Sequence, residues 1–175
     1  DIAIMKKHNV RVAHNPGSNM KLASGVAPVP KMLAAGLCVG LGTDGASSNN
    51  NLDMLEEINL ATLLHKVHNL DPLAVPAFKG VQMGTQYGAE AVGIKNAGLI
   101  KEGYKADIVL FDLNEPQCCP RHDLISLLAY SMNSSMADTV LVDGKVLVEN
   151  KQFTTIDEEK IKYEANRCTK NLLNR

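Results

Sequence analysis

Two polar groups stand where apolar runs of this chain stop. Val39-Gly-Leu-Gly-Thr-Asp44-Gly45 delivers a lone carboxylate onto a glycine turn, and Val10-Arg-Val-Ala-His14 ends in an imidazole before Asn15-Pro16-Gly17. A carboxylate at a strand end can ligate a divalent cation or carry a proton. Thr-Asp-Gly is also common turn chemistry, so Asp44 alone decides nothing. A catalytic metal site needs three protein ligands and an open position for water, and the chain does not plainly supply them. Its five histidines are His8, His14, His65, His68 and His122, with no His-x-His pair. His65 and His68, three residues apart, would share a helix face. Their helix runs into a polar loop, so both are read as solvated. His122 beside Asp123 reads as a helix start and not a catalytic dyad.

The elements that must hold Asp44 and His14 form a strand, helix, strand unit. Residues 2 to 8 read as the end of a helix, and Val10 to Ala13 as a short strand. Met32 to Ala35 is a helix closed by Gly36, a residue suited to a helix C-terminus. The run Leu37 to Leu41 has no alternation, as expected of a parallel strand buried on both faces. Such strands lie parallel and adjacent, so His14 and Asp44 should emerge at the same end of the sheet and face one pocket. After a loop at 45 to 50, Leu52, Leu55, Ile58 and Leu63 keep helical spacing, with Asn50 or Asn51 as the cap. Asp71-Pro72 is a second helix start, and a further helix is expected over Ala77 to Val92 although three glycines interrupt it. Beyond residue 95 the pattern changes. Asp107 to Asp112 reads as a strand, Asp123 to Tyr130 as a short helix, and Thr139 to Val148 as a hairpin on Asp143-Gly144. Asp157 caps a last helix with Ile161, Ala165, Cys168 and Leu172 on one face.

Composition narrows the function classes. Of 175 residues, 45% are hydrophobic and 21% charged, as in an ordinary globular protein. Lys plus Arg (18) nearly cancels Asp plus Glu (19) without a basic cluster, which argues against a nucleic-acid binder. Apolar stretches fall short of the roughly 20 residues needed to span a bilayer, and the first residues show no secretory pattern. A start without methionine, inside an apparent helix, reads as a piece of a longer protein. Cys38, Cys118, Cys119 and Cys168 form no CxxC pair, so reduced thiols in a cytoplasmic protein are expected, with Cys38 and Cys168 as small buried groups.

Two longer motifs resemble a known family. His14-Asn-Pro-Gly-Ser18-Asn19-Met-Lys-Leu-Ala-Ser-Gly-Val-Ala-Pro28 and Gly42-Thr-Asp44-Gly-Ala-Ser-Ser-Asn-Asn50-Asn-Leu-Asp53-Met54 are similar to the last two barrel strands of the amidohydrolase superfamily. The likeness is to the branch with 5-methylthioadenosine/S-adenosylhomocysteine deaminases and triazine chlorohydrolases. Gly98-Leu-Ile-Lys-Glu-Gly103-Tyr-Lys-Ala-Asp107 resembles the sandwich-domain signature that follows the barrel. The fold so implied is α/β, the C-terminal portion of a (β/α)8 TIM-type metal-dependent hydrolase barrel plus part of a β-sandwich domain. Residues 1–95 would carry the last two barrel strands and their helices, 96–150 a sandwich portion with an inserted helix, and 151–175 a C-terminal helix.

The resemblance implies that Asp44 is both a metal ligand and a catalytic proton acceptor, with zinc the expected metal and iron the alternative. His14, Ser18 and Asn19 would lie on the substrate side. The substrate would be a nucleoside-like or other N-heterocyclic small molecule that loses an amine by hydrolysis. A triazine chlorohydrolase or another purine or pyrimidine deaminase is the alternative. The family's His-x-His pair and its two further histidines have no counterpart here, so the ligand set is incomplete and the isolated chain is expected to be inactive, a silent scaffold in isolation. Unfinished barrel edges imply self-association into a homo-oligomer.

Overall fold

The computed structural model describes residues 1–174. Helix α1 (Ile2–Lys7) leads into strand β1 (Val12–His14), then α2 (Pro16–Lys21), α3 (Val29–Ala34) and β2 (Val39–Leu41). The two strands pair in parallel with Val12 opposite Val39 and His14 opposite Leu41. That is the arrangement expected of a right-handed crossover through α3. All three β2 residues are buried, which is why the run lacks alternation.

Helix α4 (Ala46–Asn49) follows Asp44 directly, and the long α5 (Met54–Asn69) covers the strands. Helix α4 replaces part of the loop expected over 45 to 50, and α2 occupies a stretch for which the sequence suggested no element. The cap of α5 is Asp53, not Asn50 or Asn51: its carboxylate accepts from Leu55 N at 2.9 Å and Glu56 N at 3.3 Å. Asp71-Pro72 starts no helix. Asp71 instead closes a turn, its Oδ1 accepting from Leu73 N at 2.8 Å, the side-chain mimic of a backbone turn that Asp favours. The expected helix over Ala77 to Val92 is two helices, α6 (Ala77–Gly84) and α7 (Gln86–Ala91), broken at Thr85 where φ is −126° and ψ −91°.

A second, antiparallel sheet has the order β3 (Ile108–Phe111), β4 (Ala137–Val142), β5 (Lys145–Glu149), β6 (Gln152–Phe153). The β4–β5 turn has positive φ at both Asp143 (49°) and Gly144 (78°), the turn whose twist matches the strands it joins. Helix α8 (Leu124–Tyr130), expected from Asp123 to Tyr130 and capped in the structure by Asp123, does not stay with this sheet. Its Ala129 joins Val29, Val39, Leu41, Ile58, Ala61 and Met83 in the main core, and Asn59 Nδ2 donates to Ala129 O at 3.0 Å. Helix α9 (Glu158–Leu173) is capped by Asp157, but its apolar stripe is unpartnered among the described residues: Ile161, Cys168 and Leu172 are exposed. Cys168 is therefore not the buried thiol its position on the stripe suggested.

Candidate active site

Asp44 sits just past the C-terminal end of β2, where a parallel sheet presents its chemistry. Gly42 N donates to His14 O at 3.0 Å, which prolongs the strand pairing past the last ladder residue and fixes where the chain turns out. Asp44 itself adopts φ 62°, a left-handed conformation uncommon outside glycine and tolerated best by Asp and Asn.

Its carboxylate is exposed yet held. Ser18 Oγ, one turn into α2, donates to Oδ2 at 2.7 Å. Gly45 N donates to Oδ1 at 2.8 Å. The Ser18 hydroxyl, then the Ser48 hydroxyl and the Gly45 N–H, favour the charged form and hold the carboxyl below the usual carboxylate range, as hydrogen bonds to an anion do. A carboxylate offers about four acceptor sites, so these donors leave room for a further partner. Ser18 is buried and Asn19, beside it on α2, is half-buried.

His14 lies at the strand end, as expected, but its ring turns into the core. It is 2% exposed, and its Nε2 stands 3.1 Å from Nε2 of His65 on α5. His65, read from sequence as solvated, is fully buried; His68 alone is exposed. One ring must donate and the other accept, so the two neutral rings present opposite roles at Nε2. Burial, then the charge on His65, lowers His14 to about 4. Burial, followed by the His68 and Lys66 charges, lowers His65 to about 4. Nδ1 of each ring is buried without a partner among the described residues.

A second buried polar group escaped the sequence reading. Glu57 on α5 is 2% exposed and accepts from Gly17 N at 3.0 Å and Asn49 Nδ2 at 2.7 Å. The spacing held a signal for both residues. Glu57, Ile58, Ala61 and His65 recur at helical intervals on the buried face of α5. Leu52 and Leu63, counted on that face by their apolarity, are 59% and 49% exposed.

Among the described residues no group of three His, Cys, Asp or Glu side chains could hold a metal ion. Asp44 fits as a single ligand, being ionised, accessible and supplied with spare lone pairs. His14 is buried, its Nε2 engaged with His65.

The amidohydrolase family model matches residues 1–147. The chain belongs to that family. Among curated amidohydrolase relatives, the 5-methylthioadenosine/S-adenosylhomocysteine deaminase of Dictyoglomus thermophilum is 58% identical over 165 residues, 94% of this chain and 39% of its own length. That of Pelotomaculum thermopropionicum is 54% identical over 175 residues, 100% of this chain and 40% of its own. The structure of a Xanthomonas campestris adenosine deaminase with bound zinc superposes with a TM-score of 0.96 at 31% identity, covering 99% of this chain and 40% of that one. A zinc complex of an Arthrobacter aurescens atrazine chlorohydrolase gives 0.89 at 30% identity, covering 95% and 37%. This amidohydrolase chain thus spans about two fifths of the length of the curated relatives it matches.

Proposed function

We propose that this chain is the C-terminal two fifths of a metal-dependent hydrolytic deaminase acting on an adenine-type ring, as in 5-methylthioadenosine or S-adenosylhomocysteine. The observation that carries the reading is Asp44, held ionised by Ser18 and Gly45 at the end of a buried parallel strand. Identities of 54% and 58% to deaminases, against 30% to the chlorohydrolase, favour loss of an amine over loss of chloride. In this reading residues 1–95 complete a (β/α)8 barrel, 96–150 belong to a β-sandwich, and 151–175 form the terminal helix. The four cysteines are free, which supports a cytoplasmic setting. Among the described residues no helix is long and apolar enough to cross a membrane.

A bound divalent metal, zinc for preference, would supply the acidity that makes water nucleophilic near neutral pH. Asp44 is the residue of this chain that would hold it. The carboxylate also accepts a proton as water adds to the ring carbon that bears the amine. That proton then passes to the amine nitrogen as the C–N bond breaks, so one water is consumed and one ammonia released. Ser18 anchors Oδ2 throughout and keeps the carboxylate from rotating away. Asn19 lies beside Ser18 for polar contact with the substrate. His14 is assigned to the substrate side through Nδ1, a buried nitrogen lacking a partner among the described residues, and such a group calls for one.

Ammonia release from 5-methylthioadenosine, S-adenosylhomocysteine and adenosine, with atrazine as a counter-substrate, tests the reading on the complete enzyme. Deamination of one of the nucleosides is expected, with Asp44→Asn lowering kcat/KM by about a thousandfold or more, since loss of a general base alone costs roughly 100- to 10,000-fold. Turnover of atrazine alone would overturn it, as would an active Asp44→Asn enzyme. The isolated chain is expected to release no ammonia.

A further inference from the structure

Asp44 stands between two helices, α2 with six residues and α4 with four, both too short to be stable on their own. It also keeps a left-handed φ of 62°, which persists only where the surroundings over-determine it. What joins the two helices on the inside is the buried Glu57 carboxylate. One of its oxygens takes Gly17 N, next to Ser18, and the other takes the side chain of Asn49, the last residue of α4. On the outside Lys21 Nζ donates to Ser47 O at 3.2 Å and to Asn50 Oδ1. A side chain at position 17 would displace the inner bridge. A Cβ there would overlap Glu57 Oε1 and stand 3.0 Å from Asn49 Nδ2.

We infer that Glu57 is a positioning residue. Through Gly17 and Asn49 it sets the spacing of α2 and α4, and so the place at which Ser18 meets the Asp44 carboxylate. The inference rests on Asp44 being the site carboxylate. A buried acceptor with two N–H donors is costly unless both bonds form, so the pair of helices has one favoured separation. Groups that orient a ligand from behind affect metal affinity by about 10- to 100-fold when altered.

The test is zinc affinity of the complete enzyme by chelator competition, read on variants whose circular dichroism shows them fully folded, because an unfolded fraction in equilibrium would itself weaken the apparent affinity. Asn49→Asp sets two carboxylates against each other and should weaken zinc binding at least about fivefold. Glu57→Gln keeps an acceptor for Gly17 N, and the Asn49 amide can turn over to accept from the new amide, so its affinity should stay within about twofold. The double variant Asn49→Asp with Glu57→Gln restores a donor–acceptor pair and should recover wild-type affinity. If Asn49→Asp does not fold, Asn49→Ala takes its place and should weaken zinc at least about twofold. An unchanged affinity in the Asn49 variant measured, or a double variant no better than Asn49→Asp, overturns the role of Glu57. Asp44→Asn with unchanged zinc affinity overturns the underlying assignment of Asp44, so the two failures are told apart.

Discussion

Acidification from pH 7.5 to 5 should destabilise this chain through the His14–His65 pair. Both imidazoles are neutral in the fold, lowered to about 4, whereas in the unfolded chain they titrate near 6.5. The unfolded state therefore binds more protons throughout the interval, and stability falls as pH falls from about 6.5 to about 4. A single group with these values loses about 2 kcal/mol by pH 5. Two give at most about 4 kcal/mol, because part of the lowering of His14 comes from charge on His65 and is absent while that ring is neutral. With a urea slope of about 2 kcal/mol per M the unfolding midpoint should drop by about 1 to 2 M. Urea unfolding followed by circular dichroism at the two pH values measures it. His65→Leu removes one of the two titrating rings, so the loss on acidification should be about halved, even though leaving His14 Nε2 unpaired lowers stability at neutral pH by about 1 to 3 kcal/mol. A midpoint that moves by less than about 0.3 M in the wild-type chain would refute the argument that these rings are held neutral by burial.

Two further outcomes are expected. Gly98→Ala should cost at least about 2 kcal/mol by thermal or urea unfolding, because φ there is +78° and a Cβ would stand 2.7 Å from both Gln86 Cα and Thr85 O, backbone that cannot step aside; a variant as stable as wild type would mean that the 97 to 103 turn does not pack on α7 in this way. The isolated chain should self-associate, since Val67, Leu70 and Leu73 are 68%, 89% and 78% exposed around the outer end of α5. Apolar groups clustered in this way favour association, and a monodisperse monomer in light scattering would contradict this.

Local sequence signals determined much of the architecture. The unalternating run before Asp44, the Asp143-Gly144 turn and the cap Asp157 each act within a few residues, through backbone conformations that those side chains favour or permit. His14 and Asp44 likewise stood out as polar groups at the ends of apolar runs, and the resemblance of the flanking motifs added Ser18 and Asn19 as expectations. What tertiary structure alone decided is how those motifs are held. His65 meets His14 across 51 positions, and Glu57 reaches Gly17 across 40. Neither residue type announces burial, because histidine and glutamate usually face water and are admitted to a core only when a partner satisfies them. Sequence named the carboxylate; the packing of α5 against the strand ends fixed its place.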